Sequence, residues 1–181
     1  MSILKVARMG HPVLRAKAKA LSPADIKHAA VQLLIDDMMD TMIEYHGVGL
    51  AAPQIHEGVR IFIGVLDTPK ADDGNDTEPE PIAIINPEIT PVGDETVEDW
   101  EGCLSIPDIR GRVPRWREIR LRGYNRDGGR IELSLRDFPA RVAQHETDHL
   151  DGILFFDRMK SFESLSFLEE YSRYHAARDR D

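Results

Sequence analysis

With 181 residues, 41% of them hydrophobic, the chain is long enough for one domain that buries about 70% of the surface its unfolded form would expose. A net charge of -9 and no dense Lys/Arg tract argue against free DNA or RNA binding, which depends on neutralising phosphates. The lone cysteine, Cys103, excludes an internal disulfide and suits a reducing compartment such as the cytoplasm; with no apolar signal core and no run near the roughly 18 residues of a membrane span, a soluble protein without a membrane partner is expected.

In chain order, Ser22-Pro23-Ala24-Asp25 reads as an N-cap, a first-turn proline and an acidic third position, and Ile26, Ala30, Leu33, Met38, Met42 and Tyr45 follow at helical spacing. This predicts one long amphipathic helix stopped at Gly47, with its methionines in the core. Arg60 to Leu66 and Ile82 to Asn86 read as strands, and the acidic, Pro- and Gly-rich stretch from Thr68 to Pro81 as a mobile surface loop. Ile119 to Tyr124 and Ile131 to Leu135 alternate around Asn125-Arg126-Asp127-Gly128-Gly129, which predicts a hairpin. A helix follows, with Asp137 as its cap, Pro139 in its first turn and Gly152 at its stop. Ile153 to Phe156 reads as a short buried strand, and Leu165, Leu168 and Ser172 as one face of a final helix in the segment 163–181. No repeat or linker divides the chain.

The most informative residues lie on the second predicted helix, in His145-Glu146-Thr147-Asp148-His149. Residues four apart share a helix face, so two imidazoles can grip one metal ion while Glu146 leans toward it. That is apparatus for metal-assisted hydrolysis. A hydrolytic site needs a third ligand and an open position, and Glu101-Gly102-Cys103-Leu104-Ser105 offers a thiolate. Glu146 is then no ligand but the base that takes a proton from water and passes it to the departing amine, a role worth typically 10²–10⁴-fold. Phe138, Val142, His145 and His149 stand at i, i+4, i+7 and i+11, so an apolar stripe leads into the metal site. Upstream, Gly47-Val48-Gly49-Leu50-Ala51-Ala52-Pro53-Gln54 is a run of small residues that permits close approach, ending in a side-chain amide.

Segments 47–54, 101–105 and 144–152 resemble, in order and spacing, the three signature motifs of the peptide deformylases. The likeness extends from about Ile3 to about Met159. It implies a substrate, the N-formylmethionyl end of a newly made polypeptide, released as formate and a free amino terminus. It implies Cys103, His145 and His149 as ligands of one divalent ion, Fe2+ with Zn2+, Ni2+ or Co2+ as substitutes, and Gln54 and the backbone N–H of Leu104 as oxyanion donors. Walls at Gly47 and Gly49 would exclude acyl groups bulkier than formyl. Val48, Phe138 and Val142, with the ring of His145, would hold the methionine side chain, and Arg110 a substrate carbonyl. The expected fold is α+β: one domain over 1–181, antiparallel β-sheets packed around the central metal-binding helix, with a long N-terminal and a C-terminal helix.

Arg141, beside the pocket face where many family members carry an apolar residue, and Trp100, just before the second motif, depart from the family pattern. In the family a C-terminal helix can dock on the ribosome through basic residues; here 163–181 mixes acids with Arg173, Arg178 and Arg180, so docking stays open. Two rivals remain. A HExxH metallopeptidase would normally take a non-cysteine third ligand downstream of its second histidine. A non-catalytic relative that binds nascent chains would have no physical need for Glu146. His11, His28, His46, His56 and His175 have no such context, and no GxGxxG or P-loop lysine accompanies the glycines.

Overall fold

The computed structural model describes residues 2–66 and 80–176; apart from Glu80 and Pro81, the loop expected at 68–81 lies outside them. The first helix is broken in two. α1 (Pro23–Ile26) opens with the expected Ser22–Asp25 capping box, but a second start follows at once. His28 is extended and its ring Nδ1 accepts from Ala30 N at 3.3 Å, capping α2 (Ala29–Glu44). Gln32 occupies the carbonyl of Ile26 at the break, donating to it at 2.8 Å. The break resets the helical phase. Ile35, Met38 and Met42 face the core, as expected for the methionines, whereas Leu33 and Tyr45 are exposed. At the far end the left-handed residue is His46 (φ 54) rather than Gly47, whose N–H closes onto Met42 O at 2.9 Å.

β1 (Gly49–Ala51), β2 (Ile61–Gly64) and β3 (Ile82–Pro91) follow, and then β4 (Thr96–Cys103), β5 (Ile106–Trp116), β6 (Glu118–Tyr124) and β7 (Arg130–Arg136). Neighbouring strands within the sheets pair antiparallel: β1-β2-β3-β6-β7 form one sheet, and β4 pairs with β5 in a second. The expected hairpin is β6–β7. α3 (Asp137–Leu150) lies between the sheets, its Ala140, Ala143 and Leu150 packed with Phe62, Ile84, Leu121 and Leu135 of the larger one.

Asp137 does not cap α3; Arg136 holds the cap position, and the Asp137 carboxylate pairs with Arg117 at 2.8 Å. Gly152 does end it. Its φ is +73°, and a Cβ there would sit 2.6 Å from the backbone oxygen of Arg15. The segment expected as a strand at 153–156 turns instead into a 3-10 helix, Phe155–Arg158, because the Asp157 carboxylate reaches back to Leu154 N at 2.8 Å. Phe155 joins Leu14, Val113 and Leu154 in a third core cluster beneath β5.

The C-terminal segment is also partly strand. β8 (Ser166–Phe167) pairs with β5 at Ile109 and Arg110, and only then does α4 (Leu168–Tyr174) begin. Leu165 therefore precedes the helix, Ser172 is exposed, and contact runs through Leu168 and through Tyr171, which lies on Trp100 with ring centroids 4.9 Å apart. Among the described residues no helix is long and apolar enough to cross a membrane.

Candidate active site

Strand period 2 and helix period 3.6 together build the centre. Glu101 and Cys103 are two apart near the end of β4 and share its buried face toward α3, while Gly102 points the other way. His145 and His149, one turn apart on α3, meet that face. Cys103 Sγ lies 3.2 Å from His149 Nε2, and donor atoms of Cys103, His145 and His149 fall within 4.8 Å of one another. The three buried residues form a potential metal site.

The donor chemistry fits a cation. Among the described residues His149 Nδ1 and Glu146 Oε2 are buried with no hydrogen-bond partner, which is costly in an apolar surround unless something charged completes the site. Burial raises the Cys103 thiol, yet the imidazoles of His149 and His145 outweigh it and hold it well below its ordinary range, which favours the ligating thiolate. Burial pushes the Glu146 carboxyl up to about 7; a dication beside it would lower it again.

Glu101 orients the site from behind. Its Oε2 accepts from His145 Nδ1 at 2.8 Å, leaving Nε2 free to face the cysteine. Both its oxygens are filled by Arg115, at 2.8 and 3.0 Å, and Oε1 also by Arg141 at 2.8 Å. Burial alone would raise this carboxyl, but His145 and Arg115 hold it well below the usual carboxylate range. Arg115 continues to Asp148 at 2.5 Å, and Asp148 to Arg158 at 2.6 Å. The sequence alone assigns no role to any of these five, Glu101, Arg115, Arg141, Asp148 and Arg158. The available signal was a carboxylate two residues before the cysteine, the strand spacing that puts both on one face.

Gln54 sits on a 3-10 turn, Ala52–Ile55, just after β1. Its Oε1 accepts from Ala51 N at 2.8 Å, so its Nε2 is turned toward Ser105 Oγ at 3.2 Å and Cys103 Sγ at 3.5 Å. Gly49 backs directly onto Glu146: a Cβ there would lie 2.7 Å from its Cδ. Gly47 is nearly as tight, with Leu104 Cδ1 at 3.1 Å.

Every residue expected at the site except His149 lines one cleft of about 640 Å³: Gly47, Val48, Gly49, Gln54, Cys103, Leu104, Arg110, Phe138, Val142, His145 and Glu146. His149 lies behind, 1% exposed. Val142 is buried deep in the cleft, while Val48 and Phe138 form its exposed rim. Arg141 borders the cleft, but its guanidinium turns away to Glu101 and to the carbonyls of Val113 and Val97, at 2.8 and 2.7 Å. Trp100 lines the outer wall, packed at a tilt against the rings of Tyr171 and His175.

An α+β fold carrying a Cys/His/His cluster and a buried carboxylate at the foot of a cleft defines the class, a metal-dependent hydrolase. Comparison with known proteins narrows it. The family model for polypeptide deformylase matches residues 3–164, and the chain belongs to that family. It is 44% identical over 169 residues to peptide deformylase 2 of Nostoc sp., covering 93% of each chain. It is 41% identical over 175 residues to peptide deformylase 1 of Prochlorococcus marinus, covering 94% of this chain and 88% of that one. Among solved structures, a class I type b peptide deformylase from Acinetobacter baumannii with Met-Ala-Ser bound matches with a TM-score of 0.78 and 36% identity, covering 87% of this chain and 99% of that one. The peptide deformylase of Thermotoga maritima matches at 0.77 and 37% identity, covering 89% of this chain and all of that one. The chain is thus an enzyme of a family that acts on formylated nascent polypeptides.

Proposed function

We propose that the site removes the formyl group from N-formylmethionyl chains by the following division of labour. The carrying observation is the unpartnered Glu146 Oε2 beside the Cys103, His145 and His149 donors at the foot of the cleft. When bound by those three residues, a divalent ion supplies a nucleophile at neutral pH by lowering the pKa of a water to about 7. Glu146 takes the proton and later delivers it to the departing amine nitrogen. Gln54 Nε2 and the backbone N–H of Leu104 donate to the oxyanion as the formyl carbon becomes tetrahedral, each worth roughly 3 kcal/mol of barrier. Gly47 and Gly49 leave room for a hydrogen on the acyl carbon and little more. Val48, Phe138 and Val142, with the His145 ring, receive the methionine side chain, and Arg110 a carbonyl of the following peptide. That the Acinetobacter baumannii relative binds Met-Ala-Ser, a deformylated methionyl tripeptide, supports the choice of substrate.

Release of formate from formyl-Met-Ala-Ser, with far slower release of acetate from acetyl-Met-Ala-Ser, tests this reading. A metallopeptidase would cut the peptide bond instead, and a binding protein would release nothing. Glu146→Gln should keep its metal and lose nearly all turnover; metal loss would make Glu146 a ligand.

Ferrous iron is the ion we favour. Ligand type leaves Zn2+, Ni2+ and Co2+ open, and the family likeness chooses. An iron site with a thiolate donor is vulnerable to oxygen and peroxide, so activity of protein purified without air should decay on exposure and survive nickel exchange. A fully active, zinc-only protein would refute iron and leave the hydrolysis standing. A single thiol with this role suits the cytoplasm. Ribosome docking gains little from α4, whose Arg173 is paired with Glu169 and Glu170.

A further inference from the structure

The chain's arginines are mostly neutralised: among the described residues all but Arg8, Arg110, Arg112 and Arg130 have a carboxylate within 4.0 Å. Two of these four line the catalytic cleft, together with Lys5, which likewise has no carboxylate within 4.0 Å among the described residues. Their placement is fixed by the fold. The backbone on either side of Arg8 is pinned to the site, Ala7 N donating to Gln54 O at 2.7 Å and Met9 N to Ser105 O at 2.8 Å. Arg110 lies across Gly102, next to the cysteine: its Nε occupies space 2.8 Å from where a Gly102 Cβ would be, and its Nη1 donates to Ile109 O at 2.9 Å. Against these three cations the described lining of the cleft offers one exposed carboxylate, Asp108. Glu101, deeper in, is already shared by Arg115 and Arg141, and Glu146 is buried beside the donors. A protein of net charge -9 thus presents a locally positive entrance to its own active site.

We propose that Lys5, Arg8 and Arg110 make the enzyme charge-selective, favouring formylated chains with acidic side chains in the residues after methionine and disfavouring basic ones. This rests on the deformylase reading, in which those residues must leave through the cleft mouth. Two unit charges about 7 Å apart in water shift an affinity about threefold, and exposed pairs are worth little more. Changing a following side chain from acid to base should therefore change kcat/KM about tenfold, chiefly through KM.

The test uses the metal-loaded enzyme and three C-terminally amidated peptides, formyl-Met-Ala-Glu-Glu-Ser, formyl-Met-Ala-Gln-Gln-Ser and formyl-Met-Ala-Lys-Lys-Ser, with formate as the readout. The expected order is Glu over Gln over Lys. The ratio should collapse toward 1 in 1 M NaCl, where the Debye length is about 3 Å, and should invert in the double variant Lys5→Glu, Arg8→Glu. Hydrolysis of all three at similar rates overturns the charge selectivity and leaves deformylation standing. A ratio unchanged by salt or by the double variant assigns the preference to something other than these cations and also overturns it. No formate from any peptide removes both readings.

Discussion

Gly49→Ala separates stability from catalysis more cleanly than any ligand substitution. Gly49 belongs to β1, which pairs with β2 through Gly64, so an alanine backbone is acceptable there. What fails is space. The new Cβ would stand 2.7 Å from Cδ and 2.8 Å from Cγ of Glu146, whereas carbon atoms rest at about 3.5–4.0 Å. Something must move by about 1 Å. The strand is held by its ladder and the helix by its core, so the yielding group is the Glu146 side chain, whose Oε2 no hydrogen bond holds among the described residues. An off-rotamer displacement costs about 0.5–1.5 kcal/mol, and that is the expected loss of unfolding free energy in urea. A catalytic group displaced by 1 Å, by contrast, can cost about 10²-fold. The variant should therefore fold, carry a full complement of metal by elemental analysis, and release formate from formyl-Met-Ala-Ser about 100-fold more slowly in kcat. A kcat within about threefold of the parent would refute the placement of Glu146 as the base, and lost metal would refute the separation of base from ligands.

Glu101→Gln should weaken metal binding about 10–100-fold in a chelator competition, as removal of an orienting partner usually does. It should also cost about 3 kcal/mol in urea, because Arg141 loses its buried anion and Arg115 keeps Asp148 alone; unchanged metal affinity would show that Glu101 does not orient His145. Gly152→Ala should lower the denaturation midpoint by the equivalent of about 1–3 kcal/mol, from its positive φ and the immovable Arg15 carbonyl, with kcat unaltered. A parental midpoint would contradict that.

Much of this architecture was legible because it depends on short-range periodicity. The β6–β7 hairpin alternates around a glycine turn, and His145 and His149 share a helix face wherever that helix sits. What was not legible depends on partners far away in sequence. His28 has no mark of a helix break until its ring meets Ala30 N and Gln32 takes up the Ile26 carbonyl. The segment at 153–156 is apolar enough for a strand, and only the reach of Asp157 to Leu154 makes it a turn. At the site, the meeting of Cys103, His145 and His149 in one potential metal cluster follows from two of the three motifs, whereas Arg141 reads only as a departure beside the pocket face. Its guanidinium instead finds strands β4 and β5, which no spacing along α3 reveals.

That redirected arginine explains how a metal site can be assembled from two separate elements. Cys103 comes from a strand end and the histidines from a helix, so the site is only as well defined as the distance between β4 and α3. Apolar contact alone would leave that distance adjustable, since packing is not directional. Arg141 is: from α3 it donates to the carbonyls of Val97 on β4 and Val113 on β5, and to Glu101 on the cysteine's own strand. Arg115 on β5 closes the frame by reaching both Glu101 and Asp148, the latter on α3 just before His149. Each donor-bearing element is thus tied to the other by charge-assisted hydrogen bonds of fixed geometry, and the carboxylate at their crossing also sets which nitrogen of His145 is free. Buried ion pairs of this kind add little net stability over an apolar core. Their contribution here is the register of helix on strand, which a three-residue donor set spanning both requires.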